Sequence, residues 1–126
     1  RLPFPVHFAL GNHDVRANFR AVFADVPVNE TGHVQYDFVH GPLRFVVLDT
    51  LEEGHHGGAL SDAQAGWLDA VLARDPRPTV LVLHHPPIET GNGWMTEDLD
   101  APWVRRLAAV VSRHPQVIRM LTGHLH

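Results

Sequence analysis

The chain has 126 residues, 44% hydrophobic and 19% charged, which bounds it to one ordinary globular domain. A net charge of −4 with no lysine excludes the basic footprint of a protein for polymeric nucleic acid, and no apolar stretch approaches the ~18–20 residues that cross a bilayer. Cysteine is absent, which excludes disulfides and thiolate metal sites and suits a reducing, cytoplasmic compartment, whereas histidine, the commonest protein metal ligand, occurs eleven times.

Residues 5–10 read as a short strand running into Gly11-Asn12-His13-Asp14. Apolar side chains at 15, 19, 22 and 23 give residues 15–24 a helical spacing, with Asp14 placed to cap the helix and Pro27 to end the segment. Val34, Tyr36 and Phe38 alternate with polar neighbours, His40-Gly41-Pro42 turns the chain, and 43–49 is apolar, so 34–49 reads as a β-hairpin. A loop rich in Gly and His covers 51–59. Ser61 and Gln64 form a capping-box start for a helix with Trp67, Leu68, Val71 and Leu72 on one face. Residues 75–78, with two prolines, break it. Residues 79–83 are a continuous apolar and β-branched run, expected of a strand buried on both faces, and lead into His84-His85-Pro86-Pro87. A loop over 88–98 precedes a helix at 102–113 with Trp103, Leu107, Val110 and Val111 inward. Residues 117–121 are a last strand. Helices alternating with buried strands give an α/β fold, with no interior linker to a second domain.

Three of these strands end in polar clusters: 5–10 in Gly-Asn-His-Asp, 79–83 in His-His-Pro-Pro, and 117–121 in Thr-Gly-His-Leu-His. Open α/β sheets bind ligands outside the carboxyl ends of their strands, so parallel neighbours would gather Asn12, His13, His84, His124 and His126 at one edge. If 123–126 is extended, His124 and His126 share a direction, a half-shell for a transition metal, and Leu125 points into the core. The alternative is a pair of surface histidines. Of His84 and His85, at most one faces the site, because neighbours in an extended segment point oppositely. Asn12-His13-Asp14 offers a neutral oxygen ligand, an imidazole and a carboxylate; alone it equally suits a turn with a helix cap. His7 reads as a packing residue, His33, His40 and His114 as turn residues, and His55-His56 as a solvated loop that could instead line a cleft. Asp49 reads as an acceptor behind the site, not a ligand.

Gly11-Asn12-His13-Asp14, then His84, then Gly123-His124-Leu125-His126, in this order, resemble the last three motifs of the calcineurin-like metallophosphoesterases. The stretches GNHDVRANFRAVF, RFVVLDT with GGALSDAQAGWL, and LHHPPIETG resemble the bacterial class III cyclic-nucleotide phosphodiesterase and glycerophosphodiesterase branch. The resemblance covers essentially the whole chain. It implies part of a four-layer αββα sandwich with two divalent transition-metal ions (Mn, Fe or Zn) at its edge. It also implies that Asn12, His84 and His124 bind one ion and His126 the other. His13 would contact the phosphate and protonate the leaving oxygen, with Asp14 fixing its tautomer. The implied reaction is hydrolysis of a small phosphodiester, of cyclic-nucleotide or glycerophosphodiester type, by a metal-bridging hydroxide. A phosphomonoesterase, a nucleotide pyrophosphatase, or a non-catalytic metal-binding fragment are the alternatives.

The family's first two motifs, Asp-x-His and Gly-Asp, do not occur. The chain is therefore expected to be the C-terminal portion, residues 1–126, of a single domain whose remaining ligands lie upstream of Arg1. Alone it is expected to hold one metal or none, to be weak or inactive, and to pair with another copy or with the missing N-terminal segment.

Overall fold

A computed structural model describes residues 2–93 and 99–126. Along the chain come α1 (Arg16–Val22), β1 (Tyr36–His40), β2 (Leu43–Val47), α2 (Asp62–Ala73), β3 (Thr79–Leu83), α3 (Pro102–Val111) and β4 (Val117–Thr122). The expected hairpin, the two later helices and the last two strands are all present. Part of the loop expected over 88–98 lies outside the described residues.

The four strands form one sheet in the order β1-β2-β3-β4. β1 and β2 are the antiparallel hairpin, paired from Tyr36↔Val47 to His40↔Leu43. β2, β3 and β4 are parallel neighbours. The crossovers through α2 and α3 run the same way across the sheet, so uniform handedness lays both helices on one face. Val46, Leu81 and Leu83 meet Leu68, Val71, Leu72, Trp103, Leu107 and Val110 in the main core there. α2 starts with the expected reciprocal cap: the Ser61 hydroxyl accepts from the Gln64 amide, and the Gln64 side chain accepts from the Ser61 amide.

The alternate residues of the strands face the other way. Tyr36, Val47 and Val82 pack there with Leu10, Val34, Leu51 and Phe19 in a smaller core. This cover stops short of β4, where Leu121, paired with Val82, is 53% exposed. Among the described residues there is one sheet and one complete helical layer, which is the α/β part of the sandwich implied by the sequence.

The expected strand at 5–10 is absent. A strand needs a ladder partner, and these residues have none along the sheet; the Tyr36 hydroxyl alone bonds the backbone N and O of Phe8, each at 2.9 Å. α1 is also shorter than expected and lacks its cap. Its N-terminal flanking residue is Val15, with no side-chain cap, and Glu53 instead accepts from the Arg16 amide at 2.9 Å. Asp14 does not cap because its carboxylate turns back to accept from the Gly11 amide at 2.7 Å.

Asp49, directly past β2, ties α1 to the sheet. It is fully buried. Its carboxylate takes Nε and Nη2 of Arg16 at 2.8 and 2.9 Å and the amides of Val34 and Leu51 at 3.0 and 3.1 Å. Its carbonyl accepts from the Gln64 side chain at 2.7 Å. Asp49 is thus an acceptor, as expected, but for the scaffold rather than for the histidines.

Candidate metal centre

β3 and β4 are cross-linked past their last rungs, where the Gly123 amide donates to the His84 carbonyl at 3.0 Å. This brings the ends of two parallel strands together. The Gly11 turn arrives from the N-terminal segment, and the His84 ring lies between the two glycines. A Cβ on Gly11 would sit 2.9 Å from Cε1 of His84, and one on Gly123 would sit 3.0 Å from its Nδ1. Real Cβ contacts do not come as close as the first and rarely as close as the second, so both motif glycines let backbone approach the imidazole.

The ring, so held, meets two partners. His84 Nε2 is 2.9 Å from Asn12 Oδ1, His124 Nδ1 is 3.3 Å from the same oxygen, and the two nitrogens are 3.2 Å apart. Three hydrogen bonds cannot satisfy this triangle. The amide oxygen only accepts, so if both rings donate to it their N–H groups face each other at 3.2 Å. Three lone pairs converging on one point have no such conflict if a cation takes them all. Neighbouring ligands about 2.0–2.1 Å from one ion are separated by edges of this size. Neutral imidazole and amide donors suit a borderline transition metal better than Mg or Ca. Burial lowers the His84 pKa from its ordinary value, and a nearby charge on His124 lowers it further, with Asp14 opposing; the unprotonated ring is the form that ligates.

His124 reaches the triangle by an irregular backbone. Its φ is 71°, the one left-handed conformation among described non-glycine residues, and Leu125 N–H bonds back to the Gly123 carbonyl at 2.9 Å. This is a three-residue γ-turn, a strained form that persists where surroundings over-determine it. Residues 123–126 are therefore not extended, and two expectations change. Leu125 is not in the core but 48% exposed. His126 is not stacked beside His124 on a strand; it is exposed, near enough for its charge to act on His84.

His85 points the other way, fully buried. Nitrogens of His84, His85 and His124 can be chosen that lie within 4.8 Å of one another, yet both His85 nitrogens are engaged elsewhere. Nδ1 meets the Thr50 hydroxyl at 2.8 Å and Nε2 the His56 carbonyl at 3.1 Å. A carbonyl only accepts, so Nε2 carries the proton and Nδ1 accepts from Thr50. This leaves His85 behind the site as a strut. Burial, followed by the charges of His84 and His124, pushes its pKa from 6.5 down to about 4. A depressed histidine pKa gives stability that is complete above pH 6.5 and lost as pH falls toward 4. His85→Gln, in metal-free protein, should flatten acid denaturation across that window. The lost dependence should be on the order of 3 kcal/mol; an unchanged slope by urea titration at several pH values would contradict the assignment.

His13 and Asp14 follow Asn12 on the same turn and are both exposed. The His13 ring meets the His56 ring edge-on at 6.2 Å. Asp14 bonds the Gly11 amide rather than the His13 ring, so in this arrangement it fixes the glycine turn and not the imidazole tautomer. His56, which the sequence suits to a solvated loop or to a cleft wall, docks beside Asn12. Its Nδ1 is 3.4 Å from Asn12 Nδ2, and its carbonyl holds His85. Its loop, 51–59, has no periodicity that could have foretold where it docks. Gly58 lets this loop close on its partners, since a Cβ there would come to 3.0 Å from both His85 and Trp103.

A sequence model of the family described as "Calcineurin-like phosphoesterase" matches residues 1–126. A probable cyclic nucleotide phosphodiesterase of Rhodopseudomonas palustris is 36% identical over 97% of the chain and 46% of its own length. A cAMP/cGMP dual specificity phosphodiesterase of Mycobacterium tuberculosis is 37% identical over 94% of the chain and 37% of its own length. The glycerophosphodiester phosphodiesterase GpdQ of Enterobacter lignolyticus is 30% identical over 99% of the chain and 46% of its own length. The chain thus spans less than half the length of these relatives. No helix among the described residues is long and apolar enough to cross a membrane.

Proposed function

The chain belongs to the calcineurin-like phosphoesterase family, a family of divalent-metal-dependent hydrolases, and on that footing we propose that it is the C-terminal portion of a phosphodiesterase acting on a small cyclic-nucleotide or glycerophosphodiester substrate in the cytoplasm. The observation that carries this reading is the triangle of Asn12 Oδ1, His84 Nε2 and His124 Nδ1, with edges of 2.9–3.3 Å. Those three residues would hold one divalent ion, and His126 would contribute to a second. Bound, such ions supply Lewis acidity toward phosphoryl oxygens and lower the pKa of water at the site.

The protein's own groups do the rest. Asn12 and the two imidazoles are neutral, so the ligand set leaves positive charge to attract an anionic diester. His13, on the rim beside Asn12, is exposed and free to turn toward a leaving oxygen. Cleaving a diester expels an alkoxide, which needs a proton, and an imidazole at hydrogen-bond distance is the group suited to give it. Asp14 holds the turn that presents Asn12 and His13 together.

The choice of diester over monoester rests on the activities for which the relatives are named. Rates of the full-length protein on bis(p-nitrophenyl) phosphate and p-nitrophenyl phosphate, with Mn²⁺, test it. The diester should be the better substrate by kcat/KM. A preference for the monoester would move the reading to phosphomonoesterase. No hydrolysis of either, with Mn²⁺ bound, would leave a metal-binding module.

A further inference from the structure

An asparagine ligand carries a difficulty that a histidine or carboxylate does not. Its amide has an oxygen on one side and an NH₂ on the other, and a half-turn about the last side-chain bond exchanges them. With the NH₂ toward His84 and His124, the site would present two protons where it needs a lone pair. Something must therefore aim the amide.

We propose that His56 is the positioning residue that aims the Asn12 amide, with Thr50 and His85 holding it in place. This rests on the reading of Asn12 as a metal ligand. His56 Nδ1 lies 3.4 Å from Asn12 Nδ2. An unprotonated ring nitrogen accepts the amide's N–H, and that bond turns Oδ1 toward His84 at 2.9 Å and His124 at 3.3 Å. With His56 Nδ1 unprotonated, the oxygen of the reversed amide would face a lone pair on His56 and the NH₂ would face the ligand nitrogens, so both contacts are lost together.

The exposed His56 side chain needs an anchor of its own, and its backbone provides one. The His56 carbonyl accepts from His85 Nε2 at 3.1 Å, and His85 is fixed in that tautomer by the Thr50 hydroxyl at 2.8 Å. Gly58, two residues on, lacks the Cβ that would crowd His85 and Trp103 at 3.0 Å, so the loop lies close on this strut. A chain of contacts thus runs from the end of β2, through the buried histidine after β3, to a loop that faces Asn12. Partners that orient a ligand typically change metal affinity 10–100-fold when removed.

A carboxylate in place of the amide gives the test. Asp has two equivalent oxygens and needs no aiming. Mn²⁺ affinity is measured by calorimetry on the full-length protein and its variants, with the melting temperature of each metal-free form checking that it folds. His56→Ala should weaken Mn²⁺ binding roughly 10–100-fold, and His56→Gln, whose side-chain oxygen can accept the same N–H, should recover much of the loss. In an Asn12→Asp background, His56→Ala should change affinity by no more than about twofold, the scatter of independent sites. An equal loss in both backgrounds would overturn the inference, because His56 would then act without regard to which atom Asn12 presents. A clear loss in Asn12→Ala with none in His56→Ala would also overturn it, while leaving the ligand reading intact. Unchanged Mn²⁺ affinity in Asn12→Ala would overturn both.

Discussion

Replacing His124 by Ala should weaken divalent-metal binding by more than about a hundredfold, whereas replacing His13 should leave it nearly intact; loss of a direct ligand exceeds the 10–100-fold typical of outer partners. His124 Nδ1 is one corner of the three-atom triangle. His13 stands on the rim, in edge contact with His56, outside that triangle. If it delivers the leaving-group proton, His13→Ala should lower kcat on a diester roughly 10²–10⁴-fold with metal still bound. A substrate whose leaving group is an acidic phenol needs less protonation, so the defect should shrink there. Metal analysis alongside kinetics separates the two variants. Equal metal loss in both would contradict the division of roles.

Asp49→Ala should cost stability rather than chemistry, by about 3–5 kcal/mol, the usual penalty for stranding one partner of a buried pair. The Arg16 guanidinium would lose both of its bonds to a carboxylate that is itself fully buried. The amides of Val34 and Leu51 would lose their acceptor as well. Arg16→Met in the same chain removes a charge left with only Glu53 as ion-pair partner and should return part of the loss. Urea denaturation reads both effects. A cost below about 1 kcal/mol for Asp49→Ala would put the pair among surface ion pairs and contradict its place in the scaffold.

Sequence pattern exposed the parts of the fold that obey a period. The buried run at 79–83, the capping box at Ser61 and Gln64, and the alternation around Tyr36 and Phe38 each have a local cause, and each element formed. Residues 5–10 have the composition of a strand and no ladder partner, so pattern alone misread them. The glycines and histidines were legible as a cluster at strand ends because the rule for open α/β sheets is topological. What they do individually was not. The γ-turn at His124 overrides the expected extended geometry, and the groups its ring meets, Asn12 and His84, are far away in sequence. Asp14 has the chemistry of a helix cap but lies where the Gly11 amide outcompetes the helix. His56 sits in an aperiodic loop whose position is fixed by a buried histidine from another strand, which no local signal encodes.

The triangle also has a consequence for how the chain holds together. Asn12 is 72 residues from His84 and 112 from His124. An ion held by all three would close loops of 72 and 112 residues in a chain of 126. Loop closure costs entropy that grows only with the logarithm of length, and the packing of Leu10 in the smaller core and the Phe8 bonds to Tyr36 meet part of that cost before any ion arrives. Such an ion would bind the native state and not the open chain, so it would stabilise the fold by mass action in proportion to the logarithm of its concentration over its dissociation constant. The segment from residue 2 to α1, which has no strand pairing of its own, would gain most. For this chain, metal occupancy would report on whether its two ends are in place.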